Sequence, residues 1–251
     1  MDLDLKGRVA FVTGGGAGIG EAIAGALAKE GCIVGVADRD RTAAERAAAS
    51  IARGGHSAHA IAVDVGDDGA VGKAFAAIGK IGTPSILVNA AGLLSIGTVA
   101  DLPAGEFDRV ARVNVDGIVH CVRAALPAMR AARSGRIVNI ASISAMRGGG
   151  SVGNTLYGAT KAAVVALTKG LARELGPSGI TVNAVAPAIV DTAMTHAALT
   201  EEARRRILAR IPLGRFATTA DIADLVAFLA SERASFITGA VIPVDGGILT
   251  T

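Results

Sequence analysis

The sequence predicts an α/β protein: one doubly wound, parallel sheet of seven strands with helices on both faces. Short apolar segments alternate with longer helical patterns from one end of the chain to the other. Parallel pairing through helical crossovers buries both faces of a sheet, so its strands are continuously apolar rather than alternating. No linker or shift in composition divides the 251 residues, so residues 1–251 are expected to form a single domain.

The first half of the chain supplies four of the predicted strands. Gly31 and the pair Gly54-Gly55 follow helical patterns and are typical helix ends. Strands are predicted at 8–13, 33–37, 58–63 and 86–89, and helices at 18–30, 41–53 and 67–78.

The second half supplies the other three strands and the longest helices. A long helix is predicted at 107–132, bent near Pro127, because proline removes a backbone donor. The strands are predicted at 136–141, 180–185 and 240–244, and further helices at 156–175, 201–210 and 219–231. Residues 188–212 form a long insertion between the last two strands, and segments of that length often close over a ligand.

Composition excludes several classes of protein. Aromatic residues make up 3% of the chain, which leaves little material for stacking on nucleic-acid bases. The basic run at 204–206 follows Glu201 and Glu202 in a helical pattern, so it is interpreted as a solvated helix face. From the low aromatic content and the solvated basic run we expect no nucleic-acid partner. The four histidines are scattered along the sequence, so we expect no metal site.

The same inventory bears on location. Cys32 and Cys121 lie in apolar contexts and are expected to be buried free thiols of a reducing compartment. The first six residues lack an apolar signal segment, and residues 81–100 are too often interrupted to span a membrane. We therefore expect a cytoplasmic protein.

A glycine-rich turn follows the first strand. Gly14, Gly18 and Gly20, with Ile19 between the last two, lie where the strand turns into the first helix. Glycine lets a phosphate approach the backbone, and a helix N-terminus offers free N–H groups. Such a turn can be merely tight, but its place in an alternating chain favours binding of a dinucleotide pyrophosphate.

Asp38 ends the second strand about twenty residues beyond the glycines, where a carboxylate can bind a ribose 2′-hydroxyl. A carboxylate there repels a 2′-phosphate, so NAD is expected rather than NADP. Arg39 follows directly and could contact a phosphate, which keeps NADP as the alternative. The plain alternative for Asp38 is a solvated turn residue.

Tyr157 and Lys161 lie four residues apart and share a helix face. An ammonium about 4 Å from a phenol lowers the pKa of that phenol by roughly three units at an effective dielectric of 20. The pair therefore predicts a proton donor and acceptor of usable pKa, whereas an isolated pair of this kind is more often an ordinary surface pair. Tyr157 is the only tyrosine in the chain.

Further segments accompany these motifs in a fixed order. They are Thr13 to Gly20, Asp64-Val65, Asn89 to Gly92, Asn114, Ser142, Tyr157 to Lys161, Asn183 to Pro187, Thr238-Gly239 and Asp245 to Gly247. In this order and spacing the chain resembles, over essentially its whole length, the classical short-chain dehydrogenases/reductases.

The resemblance implies a Rossmann fold and a catalytic tetrad of Asn114, Ser142, Tyr157 and Lys161. In that family pattern Tyr157 is the acid and base, and Ser142 holds the substrate oxygen. Lys161 binds the nicotinamide ribose and lowers the pKa of Tyr157, and Asn114 positions a water in a proton relay.

The resemblance also implies contacts along the cofactor. Adenine is expected at Asp64 and Val65, the cofactor cleft at Asn89, Ala90, Ala91 and Gly92, and the carboxamide at Val190 and Thr192.

The chain departs from the family pattern at three places. Ala90 stands where a second asparagine is usual, and Ala188 follows Pro187 where glycine is usual, which could alter the loop near the nicotinamide. The serine is ambiguous: Ser142 directly follows a strand, whereas Ser144 has a spacing to Tyr157 that is common in the family. We favour Ser142, because a strand end fixes a side chain better than a loop does.

The substrate is left open by the sequence. Candidate contacts lie in three loops over the nicotinamide, 93–96, 144–154 and 188–212, at Leu94, Ser144, Arg147, Asn154 and Met194. Arg147 could bind an anionic substrate, and its plain alternative is a solvated loop residue. A secondary alcohol or ketone is expected, with a 3-oxoacyl thioester reductase or a non-catalytic dinucleotide sensor as alternatives. The family implies a homotetramer that pairs the two long helices across one interface and the C-terminal strand region across another; a monomer is the alternative.

Overall fold

A computed structural model describes residues 2–150 and 152–250, apart from the side chains of Met194 and Ala198. Its centre is a seven-stranded sheet in the order β3-β2-β1-β4-β5-β6-β7, in which each recorded pair of strands is parallel. The strands are β1 Val9–Thr13, β2 Ile33–Asp38, β3 Ala58–Ala62, β4 Pro84–Asn89, β5 Gly135–Ile140, β6 Ile180–Pro187 and β7 Val241–Val244.

Helices connect the strands and cover both faces of the sheet. They are α1 Gly18–Lys29, α2 Arg41–Arg53, α3 Asp68–Gly79, α4 Glu106–Ala111, α5 Gly117–Ala132, α6 Ser144–Arg147, α7 Thr155–Leu175, α8 Ala193–Ala198, α9 Glu201–Leu208 and α10 Thr219–Ala230.

Two apolar clusters, one on each side of the sheet, form the core. On one side α1 and α10 bury Ile23, Leu27 and Ile222 against the strands. On the other side α3, α5 and α7 cover Phe11 and its neighbours. Every residue of β5 and β6 is buried, as a central parallel strand requires. The predicted fold class is confirmed.

A third, smaller apolar cluster joins the segment after β6 to the end of the described chain. Ile189, Leu199 and Ile207 pack against Ile143 and Ile248. The predicted insertion at 188–212 is therefore packed onto the sheet end instead of extending into solvent.

The helical segment predicted at 107–132 is interrupted once. The interruption is a π-helical turn at Arg112–Asp116, whereas Pro127 lies inside α5, which continues past it to Ala132. A π turn carries no composition signal comparable to proline, so the sequence did not reveal it.

Two short helices were also missed. α6 has four residues, too few for a periodic pattern, and α8 begins with a capping box between Thr192 and Thr195. None of the helices in residues 2–150 and 152–250 combines the length and apolarity of a membrane span.

Candidate active site

A cavity of about 360 Å³ opens at the carboxyl ends of β1, β4, β5 and β6. The chain reverses its winding direction between β1 and β4, which is where open α/β sheets bind their ligands. Of the predicted site residues, the cavity is lined by Gly14, Gly18, Ile19, Gly20, Asp38, Ala90, Ala91, Gly92, Leu94, Ser142, Ser144, Arg147, Tyr157, Lys161, Pro187, Val190 and Thr192.

The glycine turn is packed too tightly for side chains. Gly14 has φ of +63°, and a Cβ there would lie 2.9 Å from the backbone of Ala91. A Cβ on Gly20 would lie 2.1 Å from the carbonyl oxygen of Gly14. Helix α1 then begins without a side-chain cap on its first N–H groups, which leaves donors directed at an anion. This cradle fits a pyrophosphate.

Asp38 lies at the other side of the glycine turn. Its carboxylate accepts hydrogen bonds from the backbone N–H groups of Gly16 and Asp40, both at 3.0 Å. Arg46 on α2, which sequence reasoning missed, donates to the carbonyl oxygen of Gly16 and pairs with Glu21 at 2.9 Å. These contacts hold the turn and the carboxylate in a fixed relation.

Several predicted cofactor residues lie outside the cavity lining. Arg39 is exposed, and Asp64 accepts from Arg112 at 2.8 Å and from the N–H of Gly66 at 2.9 Å. The Val65 carbonyl accepts from His120 Nδ1 at 2.9 Å.

Asn89 does not line the cavity, and its side chain bonds to the neighbouring strand. Its amide donates to Asn139 Oδ1 at 2.9 Å and so ties β4 to β5. Beside it, the hydroxyl of Thr13 accepts from the N–H groups of Ala90 and Ala91, each at 3.1 Å. These bonds hold the β4 end of the cavity against β1.

Tyr157 lies in the first turn of α7. Asn154 caps this helix by accepting from the N–H of Tyr157 at 3.0 Å, and its amide donates to Ser95 Oγ at 2.9 Å. Asn154, a candidate substrate contact, therefore positions the helix and does not line the cavity.

Of the two candidate serines, Ser142 is the one whose hydroxyl acts on the phenol of Tyr157, where it works to lower the pKa. The hydroxyl of Ser142 also accepts from the N–H of Ser144 at 3.1 Å. Ser144 lines the cavity one turn further on.

Burial controls the two titratable groups. Removal from water raises the pKa of Tyr157 to about 12, against a smaller lowering by Ser142. Burial also lowers the pKa of Lys161 to about 8. Lys161 Nζ donates to the Ile140 carbonyl at 2.7 Å and lies 5.8 Å from the centre of the Tyr157 ring. The pKa of Tyr157 in this structure therefore lies above its ordinary value, contrary to the lowering expected from Lys161, because burial dominates.

Asn114 occupies the π-helical turn that interrupts the long helix. Its Oδ1 accepts from the N–H of Leu93 at 2.7 Å, and its amide donates to the Leu93 carbonyl and to Thr160 Oγ1, both at 3.0 Å. Thr160 in turn donates to the Tyr157 carbonyl at 2.8 Å. Asn114 thus links the loop after β4 to the helix that carries Tyr157 and Lys161.

The lining contains further residues that were not singled out one by one. Gly149, Gly150, Ile189 and Thr195 lie in two of the loops expected over the nicotinamide, whereas Ile248 lies outside them. Ile248 could have been predicted only from its apolar side chain, and one apolar residue in this part of the sequence is not a specific indication of a cavity wall. The side chain of Met194, a candidate substrate contact, lies outside the described residues.

Comparison with known proteins gives consistent results over the whole chain. The family model described as enoyl-(acyl carrier protein) reductase matches residues 14–249. The chain is 42% identical to a meso-2,3-butanediol dehydrogenase of Serratia marcescens, over 96% of this chain and 94% of that protein. It is 38% identical to a 3-oxoacyl-[acyl-carrier-protein] reductase of Pseudomonas aeruginosa, over 98% of this chain and 99% of that protein.

Solved structures agree with the fold at its full length. A crystal structure from Beutenbergia cavernae, assigned provisionally as an NAD(P) dependent gluconate 5-dehydrogenase with bound NADP, superposes with a TM-score of 0.94. It is 39% identical and covers 100% of both chains. With the family model and the relatives above, this extent of similarity establishes that the chain belongs to the classical short-chain dehydrogenase/reductase family.

Proposed function

We propose that this protein is an NAD-dependent oxidoreductase that transfers a hydride between nicotinamide and a secondary alcohol or ketone. The observation that carries the proposal is the joining of two features in one cavity: a glycine cradle with Asp38 on one side, and Tyr157 beside Ser142 and Lys161 on the other. When bound, the oxidised nicotinamide accepts the hydride and brings a positive charge to the site.

Each member of the tetrad has a distinct task in this proposal. Tyr157 exchanges a proton with the substrate oxygen, and Ser142 holds that oxygen by a hydrogen bond. With a pKa of about 12, the phenol carries its proton at neutral pH, which is the form that donates to a ketone. Lys161 binds the nicotinamide ribose, and Asn114 positions a water of the proton relay.

The remaining contacts follow the length of the cofactor. In this proposal the pyrophosphate meets Gly14, Gly18 and Gly20 with Ile19, and the carboxamide meets Val190 and Thr192 beside Pro187. Asp64 and Val65, which lie outside the cavity lining, contact the adenine where the cofactor extends beyond that lining.

The turnover test uses Tyr157→Phe. Purified protein with NAD or NADP is offered a panel of secondary alcohols, and with NADH or NADPH the corresponding ketones. We expect turnover by the wild type, a loss of at least about a thousandfold in the variant, and unchanged NADH affinity by fluorescence titration. Full activity in the variant would contradict the role of Tyr157.

The preference for NAD rests on Asp38. Its carboxylate accepts from two backbone N–H groups at the end of β2, where it would repel a 2′-phosphate. The provisionally assigned gluconate 5-dehydrogenase of Beutenbergia cavernae was found with NADP, so the preference needs its own test.

For that test, Asp38→Asn removes the charge and keeps the shape of the side chain. We expect the wild type to have a higher kcat/KM with NAD than with NADP. In the variant, the ratio of these two values should fall at least about tenfold. Arg39→Gln is the matched control, because it removes the side chain that could contact the 2′-phosphate of NADP. This variant is expected to leave kcat/KM with NAD unchanged. A wild type that works only with NADP would refute the assignment.

The same assays test two alternative functions. Relatives from Pseudomonas aeruginosa and Staphylococcus aureus, 38% and 41% identical, are named as 3-oxoacyl-[acyl-carrier-protein] reductases, so 3-oxoacyl thioesters belong in the panel. A non-catalytic dinucleotide sensor would bind NADH and turn over nothing, and Tyr157→Phe would then change nothing.

We also propose a homotetramer in the cytoplasm. The outward face of α7 presents alanines at helical spacing, Ala159, Ala162 and Ala166, where a second helix could pack closely. Phe236, just before β7, is fully exposed, as expected for a residue of a second interface. Cys32 and Cys121 are buried free thiols, which suits a reducing compartment.

A further inference from the structure

Few ionisable side chains line the cavity, and only one cation at its substrate end is accessible. Among the described residues that line the cavity, the ionisable groups besides Tyr157 are Asp38, Lys161 and Arg147. Asp38 lies by the glycine turn, and the Lys161 ammonium is bonded to the Ile140 carbonyl and is only 5% exposed. Arg147 is exposed, so it is the accessible cation of this end.

The backbone that carries Arg147 belongs to a short helix and does not lie on a free loop. It ends α6, where it stands three residues after Ser144 and therefore shares a helix face with that cavity residue. The next turn is anchored, because the N–H of Gly149 donates to the Ser144 carbonyl at 3.0 Å. Gly149 also packs against Gly158 of α7, where a Cβ would lie 2.3 Å from its nitrogen.

The other arginines near the cavity have carboxylate partners. Arg204 pairs with Asp191 at 3.3 Å, and Arg109 pairs with Glu106 at 2.8 Å. Within residues 2–150 and 152–250, no carboxylate forms an ion pair with Arg147. Its charge is left for a ligand.

The surroundings strengthen that attraction. Leu93, Leu94, Val152 and Ile189 line the same cavity, and apolar walls lower the effective dielectric around a charge pair. A guanidinium offers paired N–H donors that match both oxygens of a carboxylate. We propose that Arg147 selects substrates that carry a carboxylate, a hydroxy acid or the corresponding oxo acid; this inference rests on the proposed function.

The experiment compares matched pairs of substrates with and without the charge. The pairs are 3-hydroxybutyrate with 3-hydroxybutyramide, and gluconate with gluconamide, each with NAD and the complete protein. We expect the wild type to favour the acid of at least one pair about tenfold or more in kcat/KM, the usual effect of a charged hydrogen bond. Arg147→Gln should bring that ratio close to one, chiefly through the KM of the acid, and Arg147→Lys should restore part of it.

Arg53→Gln is the control for the loss of one positive charge. Arg53 is exposed at the end of α2, away from the cavity lining, and its replacement should leave the acid-to-amide ratio unchanged. A wild type that prefers the amides, or an Arg147→Gln variant that keeps the preference for the acid, would overturn the proposal.

A binding measurement separates this inference from the proposed function. The protein–NADH complex is titrated with each acid and amide, followed by nucleotide fluorescence. Tighter binding of an acid that Arg147→Gln weakens about tenfold supports the inference even if no pair is turned over, in which case the proposed function fails for these substrates. Equal binding of acids and amides by the wild type, without a preference in turnover, refutes the role of Arg147.

Discussion

At the scale of single residues, the candidate site places charge where water is scarce. Lys161 is 5% exposed, and its nitrogen is bonded to a backbone carbonyl instead of a carboxylate. A buried ammonium without a carboxylate is costly, which is why its pKa falls to about 8 from an ordinary 10.5. The protein therefore gives up part of its folding free energy to keep this group buried at the cavity wall.

This cost predicts a pH dependence of stability. Between pH 8 and 10.5 the unfolded chain binds a proton at Lys161 that the folded chain has lost, so the contribution of Lys161 to stability rises with pH. The rise amounts to about 3 kcal/mol over the whole window, and Lys161→Met should abolish it. The free energy of unfolding in urea, measured from pH 7.5 to 10.5, gives the difference between the two proteins.

The control for this prediction lies on the same helix. Lys169 is exposed, so Lys169→Met should give a stability curve parallel to that of the wild type. Cys32 and Cys121 owe their raised pKa values to burial and not to Lys161, so their contributions cancel in the comparison. A Lys161→Met curve that also runs parallel would show that the buried ammonium does not control stability.

Sequence alone identified most side chains of the site but not their electrostatics. The spacing of Tyr157 and Lys161 placed both on one face, and the structure puts both on the cavity wall. Their pKa values depend on how far the surrounding elements exclude water, and no local pattern encodes that. The choice between Ser142 and Ser144 likewise depended on the direction of the chain after β5.

At the scale of elements, the junction of β1 and α1 is the most constrained. A Cβ on Gly20 would meet the Gly14 carbonyl, whereas a Cβ on Gly25, in the same helix, would have no neighbouring atom within 4 Å. Strand and helix ends were predicted to within two residues at most positions, because glycines and capping side chains mark them. The π turn at Arg112–Asp116 was missed, since no local composition marks it; Asn114 within it bonds to the loop after β4.

Two alanine substitutions on α1 test this constraint. Gly20→Ala should lower both stability and NADH affinity, because the new methyl group forces the turn open. Gly25→Ala should keep NADH affinity and raise the free energy of unfolding by up to about 1 kcal/mol, the helix preference of alanine over glycine. Urea unfolding and fluorescence titration measure both, and similar behaviour of the two variants would contradict the packing argument.

At the scale of the whole molecule, the exposed surface carries the prediction about assembly. Light scattering should give the mass of four copies of the 24.9 kDa chain. Phe236→Asp places a charge in the apolar contact near β7, so it should leave dimers joined through α7. Ala166→Arg places a charge in the contact at α7, so it should leave dimers joined through the β7 region. Val99→Asp, at an exposed apolar residue elsewhere, should not change the mass, and a monomeric wild type would refute the assembly.

The strand order has a consequence for how this protein is made. β1 lies between β2 and β4, and the Gly14 turn rests on the backbone of Ala90 and Ala91. During synthesis, the first three strands and their helices can gather before β4 has left the ribosome, but the wall that supports the turn cannot. A nascent chain that ends before residue 89 should therefore be unable to retain the nucleotide, however well its helices have formed.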